Sequence, residues 1–112
     1  MKIERINNDL KREISHILAE EVKDKNITFV TVTDVATSND LSVAKVYVTV
    51  LHDETKEETM TALEKASGFI RSQLFDRVEL RKMPELRFVY DESIAHGFRV
   101  NEILKEVNQD DM

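Results

Sequence analysis

The sequence predicts an α+β domain of two layers, in which helices cover one face of a three-stranded sheet. Two observations carry this prediction. Apolar residues recur at helical spacing in three segments, and the segments between them are β-branched or alternate between apolar and polar residues. The predicted order is α-β-β-α(kink)α-β-α. The chain has 112 residues, of which 41% are hydrophobic, so we expect one core and a single domain over residues 1–108.

The first half of the chain predicts a helix followed by a β-hairpin. Roughly residues 3–23 carry one apolar stripe, formed by Ile3, Ile6, Leu10, Ile14, Ile17, Leu18 and Val22. A β-branched and aromatic strand is predicted for 27–35, and a clean alternation predicts a second strand over 41–51. The short polar turn at 37–40 indicates that these two strands pair antiparallel.

The second helix is predicted to begin at Thr55 and to run to about Phe75, with Gly68 inside its apolar pattern. Thr55 followed by Glu58 has the spacing of a capping box. An interior glycine costs roughly 1 kcal/mol relative to alanine. Gly68 therefore indicates either a kink or the close approach of a neighbouring strand or helix. The predicted order adopts the kink, which divides this helix in two.

The last third of the chain predicts a third strand and a terminal helix. Residues 86–90 alternate directly after Pro84, a residue that suits the start of a strand. Acidic residues and Ser93 precede an apolar pattern over roughly 94–108, which predicts the last helix. Residues 109–112 are expected to form a flexible tail.

The composition excludes several classes of site. Without cysteine, the chain has no disulfide, thiolate zinc site or cysteine nucleophile. The three histidines share no metal-ligand spacing, and two glycines are too few for the common phosphate-cradling loops. No apolar run approaches the roughly 18 residues that span a bilayer. We expect a cytoplasmic protein that is not an enzyme and has no catalytic residue, metal site or cofactor.

One segment is positive although the net charge of the chain is −6. Residues 65–82 contain two acidic residues against five cationic ones, namely Lys65, Arg71, Arg77, Arg81 and Lys82. Because salt screens surface charges over about 8 Å, a local cationic face can act independently of distant acids. These cations and the backbone at Ala66, Ser67 and Gly68, where a kink would expose amides, predict a surface that binds a chain of phosphates.

Two further arginines, Arg5 and Arg12 on the first helix, extend this surface in the same hypothesis. The alternative is a solvated helix face, since acidic residues are interleaved with them. Arg81 and Lys82 also have an alternative role as charges that keep an edge strand soluble.

The aromatic residues give no sign of base stacking. Five phenylalanines fit core positions of the periodic pattern, and only Tyr47 lies outside it; the five are Phe29, Phe69, Phe75, Phe88 and Phe98. Proteins that read single-stranded bases usually expose aromatic residues beside their cations. We therefore expect any nucleic-acid contact to depend on backbone and shape.

Three blocks of sequence, at residues 41–48, 66–72 and 84–93, closely resemble the bacterial ribosome-binding factor A family. The resemblance covers roughly residues 3–107 in the same order and spacing. It implies a type II KH-like domain in which an Ala-x-Gly kink, matched here by residues 66–68, replaces the usual GxxG loop.

The resemblance also implies a function. Members of this family are small cytoplasmic assembly factors that bind the immature 30S ribosomal subunit and its 16S rRNA precursor. They assist late maturation and processing of the 5′ end, matter most in the cold, and have no catalytic activity. A monomer without a small-molecule substrate, cofactor or membrane is expected. This chain lacks the proline that many relatives carry after the first helix, and it ends without their longer charged tail.

A protein–protein adaptor that makes no direct RNA contact is the alternative function. In that case the open face of the sheet or the acidic C-terminal helix engages a partner. An RNA-cleaving enzyme is a weaker alternative, because the sequence offers no credible acid–base pair.

Overall fold

The computed structural model describes residues 2–27, 29–51 and 53–93. Within them, two helices pack on one face of a three-stranded sheet, which confirms the predicted α+β class. In chain order the elements are α1 (Ile3–Glu20), β1 (Val30–Thr37), β2 (Val43–Val50), a short 3₁₀ turn (Asp53–Thr55), α2 (Lys56–Leu74) and β3 (Glu85–Tyr90). The predicted last helix at 94–108 and the predicted tail at 109–112 lie outside the described residues.

The sheet has the order β1-β2-β3, with β1 antiparallel and β3 parallel to β2. The predicted hairpin is thus confirmed, and α2 is the crossover that parallel pairing of β2 with β3 requires. The predicted alternation also holds, since Ala44, Val46 and Val48 are fully buried beneath the helices. A β-bulge interrupts β1 at Thr33, whose hydroxyl donates to the Asp91 carboxylate after β3 at 2.5 Å.

The core is formed by the helix stripes and the inner face of the sheet. On α1 the stripe is as predicted, with Leu10, Ile14 and Ile17 fully buried. Side chains bridge the layers as well, because the Asn7 amide oxygen accepts a hydrogen bond from the Thr37 backbone N–H at 2.9 Å. The helices therefore have fixed positions on the sheet.

Helix α2 is a single element from Lys56 to Leu74 that includes Gly68, so the two predicted halves belong to one helix. Leu63 on one side of Gly68 and Ile70 and Leu74 on the other are fully buried. The burial of both halves outweighs the roughly 1 kcal/mol cost of an interior glycine. The capping box also fails, since Thr55 makes no side-chain cap bond.

The β1–β2 turn is organised by the carboxylate of Asp40. Asp40 Oδ1 accepts hydrogen bonds from the Ser42 hydroxyl at 2.7 Å, the Ser38 hydroxyl at 2.8 Å and the Ser42 backbone N–H at 3.0 Å. These bonds favour the ionised form and lower the pKa of Asp40 from 3.8 to about 2. The ionised carboxylate therefore stabilises the turn.

We expect Asp40→Asn to lower the free energy of unfolding at pH 7, because the amide replaces an ionised acceptor. A carboxyl whose pKa is depressed by folding stabilises the protein fully above its unfolded pKa of 3.8 and loses that effect as pH falls through about 2. The difference between variant and wild type should therefore shrink as the pH approaches 2. Urea unfolding across this range measures it.

An NMR titration of the Asp40 carboxyl provides the independent check. Its midpoint should lie near 2, and Ser42→Ala should move it back towards 3.8. A wild-type midpoint near 3.8 would contradict the assignment.

Candidate RNA interface

The five cations of residues 65–82 do not form one cluster in the structure. Lys65 and Arg71 lie six residues apart on α2, which places them about 120° apart around the helix. Lys65 is exposed beside Asp24 and Asn26, in the loop after α1. Arg71 lies on another flank, towards the chain that leads into β3. Continuous helical geometry therefore separates residues that are close in sequence.

Arg71 holds the connection between α2 and β3. Its Nη2 donates to the Met83 carbonyl at 2.8 Å and its Nε donates to the Pro84 carbonyl at 3.1 Å. Both acceptor residues are buried, so these carbonyls depend on the guanidinium for their hydrogen bonds. The main role of Arg71 in the structure is to fix this connection.

Arg77 and Arg12 are likewise engaged by acidic side chains. Arg77 is half-buried and bridges Glu13 and Glu21, with N···O distances of 3.5 Å to each. Arg12 is exposed, but its guanidinium lies 3.3 Å from Asp9 and 3.2 Å from Glu13. For Arg12 the structure thus favours the solvated helix face that the sequence left open.

Three of the predicted cations remain available at the other end of the domain. Arg81 is exposed and lines a cavity of about 340 Å³ with Ile3, Ile6, Asn39 and Leu41. Lys82 is exposed, and its charge acts on the neighbouring turn residue Asp40. Arg5 is exposed on the first turns of α1, next to Ile6. We call Arg5, Arg81 and Lys82 the basic end of the domain.

The predicted phosphate seat at Ser67 and Gly68 lies inside helix α2. In a continuous α-helix the amide N–H groups of these residues are already bonded to carbonyls of the preceding turn. The Ser67 hydroxyl donates to the Glu64 carbonyl at 2.8 Å, and the Ala66 side chain packs partly against the core.

A groove of about 390 Å³ runs beside this segment, and two carboxylates stand on its rim; it is lined by Glu64, Ser67, Gly68, Arg71, Glu85 and Leu86. Negative charge on the rim opposes the binding of a phosphate. The Gly68 surface is open within the described part of the chain, however, since a Cβ built there meets no atom within 4 Å. The surface admits a close partner, but not one held by backbone amides.

The exposed aromatic residues are the feature that the sequence interpretation missed. Phe29 is 63% exposed, Phe69 45% and Phe75 59%, whereas Phe88 is buried as predicted. Phe98 lies outside the described residues. The inward stripe of α2 is already occupied by Ile70 and Leu74, so their neighbours Phe69 and Phe75 point about 100° away from it. A helical wheel drawn through an unbroken helix would have revealed this.

Two other classes of site find no support in the described part of the chain. None of its groups of histidine, aspartate and glutamate could hold a metal ion. No helix among these residues is long and apolar enough to cross a membrane.

Comparison with known proteins gives one consistent family. The model of the ribosome-binding factor A family matches residues 2–104. The crystal structure of this factor from Thermus thermophilus superposes with a TM-score of 0.73 at 29% identity, covering 80% of this chain and 94% of that one.

Two further structures agree. Coordinates of the Thermus thermophilus factor fitted into a cryo-EM map of its 30S complex give a TM-score of 0.64 at 31% identity, covering 74% of this chain and 88% of that one. The solution structure of a Thermotoga maritima protein, described as a candidate ribosome-binding factor A, gives 0.57 at 31% identity, covering 80% and 90%. The KH-like architecture implied by the sequence is thereby confirmed.

We expect Arg71→Ala to lower the free energy of unfolding by about 1–2 kcal/mol, because two buried carbonyls lose their donor. Arg71→Lys should recover only part of this loss, since one ammonium group cannot reproduce the planar fork. Urea unfolding measures both, with Lys65→Ala as the matched control on the exposed flank. Equal stability of Arg71→Ala and Lys65→Ala would contradict the anchoring role.

Gly68→Ala should raise the free energy of unfolding by about 0.5–1 kcal/mol, because alanine is the better helix former. The added methyl group meets no atom within 4 Å, so no packing cost opposes this gain. Thermal and urea unfolding provide the measurement. A destabilised variant would indicate a bend or contact at Gly68 that the continuous helix lacks.

Proposed function

The chain belongs to the ribosome-binding factor A family, and we propose that it is a non-enzymatic assembly factor that binds the immature 30S subunit. The observation that carries this proposal is the family match over residues 2–104. The Thermus thermophilus relative has been fitted into a map of its 30S complex, which supports the same partner for this chain. The direct ligand in this proposal is the 16S rRNA precursor.

The RNA contacts are assigned to cations that the fold leaves accessible. They comprise the basic end (Arg5, Arg81 and Lys82) together with Lys65 on α2. Arg71, Arg77 and Arg12 contribute positive potential near the surface but are held by partners within the protein. Ala66, Ser67 and Gly68 form the part of α2 that RNA approaches, without donating amides to phosphate.

The finer function follows from the family resemblance. The protein acts as a cytoplasmic monomer of one domain, assists late maturation and processing of the 5′ end of the 16S rRNA, and is most needed in the cold. It uses no cofactor and no small-molecule substrate. In this proposal the protein contributes to maturation of the 30S subunit by binding it and catalyses no step.

A second candidate, the protein–protein adaptor, is favoured by a different surface. Phe29 and Leu51, 63% and 66% exposed, are joined by a hydrogen bond from the Leu51 N–H to the Phe29 carbonyl at 3.2 Å. Such an apolar pair suits a protein partner. Salt distinguishes the candidates, because affinity through phosphate contacts falls steeply between about 50 and 200 mM salt and apolar contact does not.

We expect Arg81→Ala combined with Lys82→Ala to weaken co-sedimentation with immature small subunits and to flatten its salt dependence. Each lost phosphate contact reduces the slope of log affinity against log salt by about 0.7–0.9. The matched control is Lys45→Ala with Arg87→Ala, two exposed cations that are neighbours on β2 and β3.

The same pair of variants tests the role in cells that lack the wild-type chain. At low temperature the Arg81/Lys82 variant should leave free small subunits with unprocessed 16S rRNA, and the control should restore maturation. Full binding and full maturation with the Arg81/Lys82 variant would rule out the basic end as the contact.

A further inference from the structure

The two exposed phenylalanines of α2 are each preceded by a cation four residues earlier. Phe75, at the C-cap of α2, follows Arg71, whose guanidinium carbon lies 5.5 Å from the centre of the Phe75 ring. Phe69 follows Lys65, and residues at this spacing are neighbours on a helix surface. The same spacing of a cation and an exposed ring thus occurs twice on one helix, about 9 Å apart along its axis and about 120° apart around it.

The Phe75 ring is held in place by the contacts of Arg71. Because Arg71 donates to the Met83 and Pro84 carbonyls, its guanidinium is fixed against the chain before β3. A cation fixed in this way restrains the ring beside it, and such contacts are favourable. Yet 59% of Phe75 remains exposed, so a face of the ring is open to a partner.

The helix surface between the Phe69 and Phe75 rings carries no large side chain. Gly68 is exposed and has no side chain, and the Ser72 hydroxyl turns back to donate to the Phe69 carbonyl at 2.7 Å. A flexible chain can therefore pass between Phe69 and Phe75 close to the helix, provided that its phosphates face away from the carboxylates of Glu64 and Glu85. The interior glycine costs helix stability and, among the described residues, a Cβ built on it meets no atom within 4 Å, which is consistent with such an external contact.

We propose that Phe69 and Phe75 stack on two unpaired bases of a single-stranded RNA segment. An unpaired nucleotide suits each ring because its base offers a π face, and beside Phe69 its phosphate also meets the exposed ammonium group of Lys65. Paired RNA does not fit, since its base faces are hidden within the duplex. A protein partner would suit the Phe29–Leu51 surface better. This inference rests on the proposed function and names the form of RNA that the site takes.

The test uses a fluorescein-labelled 12-nucleotide uridine RNA and a hairpin RNA with a fully paired stem. Fluorescence anisotropy measures affinity, and co-sedimentation measures binding to immature small subunits. We expect wild type to prefer the single strand, and Phe69→Ala and Phe75→Ala each to lose about tenfold in affinity for it. Phe75→Tyr should retain binding and Phe75→Leu should lose it, because leucine keeps apolar area but no π face.

Phe29→Ala is the matched control for affinity to the single-stranded RNA, because it removes an equally exposed ring from another surface. Thermal unfolding verifies that all variants are folded. If Phe69→Ala and Phe75→Ala bind both the single strand and the subunit as wild type does, the stacking inference is overturned and the proposed function stands. If wild type binds neither RNA nor subunit, the proposed function itself fails. If the alanine variants lose subunit binding while Phe75→Leu binds the subunit as wild type does, the rings make an apolar contact with a protein, and the inference is overturned.

Discussion

The packing of α2 on the sheet determines which of its residues can meet a partner. Leu63, Ile70 and Leu74 are fully buried, and α2 connects two parallel neighbouring strands. A crossover helix of this kind must lie on the sheet, so its rotation about its own axis is fixed by the inward stripe. The outward positions of Phe69 and Phe75 are consequences of that rotation, and the core holds them there.

The arginines of this chain show how structural use and binding compete for the same group. A guanidinium that donates to two carbonyls, as Arg71 does, has fewer N–H groups left for a phosphate. Arg77 is engaged in a similar way, because it forms ion pairs with two glutamates: Glu13 on α1 and Glu21 at the C-cap of α1. A cation-rich stretch of sequence therefore separates, after folding, into side chains that join elements and side chains that face solvent.

The fold could be predicted from the sequence because its signals are periodic and local. The stripe of α1 and the alternation along β2 each specify one buried face, and both were predicted correctly. The positions and partners of the predicted site residues depend on contacts that a periodic sequence pattern does not predict. The carbonyls that engage Arg71 lie twelve and thirteen residues away, beyond the reach of a local pattern. The periodic pattern predicts Phe69 and Phe75 in the core, but Ile70 and Leu74 occupy the buried positions of α2 and leave both rings exposed.

A chain with a net charge of −6 approaches a polyanion against long-range repulsion. The proposed phosphate contacts involve four cations, and so few contacts release few counterions and give modest affinity; the four are Arg5, Lys65, Arg81 and Lys82. Stacking does not depend on net charge, and it is available only where bases are unpaired. Under the proposed function, an acidic factor that relies on stacking binds rRNA while segments remain unpaired and loses its ligand as pairing is completed. Weak electrostatics then favour selectivity, because a strongly basic surface would hold mature and immature RNA alike.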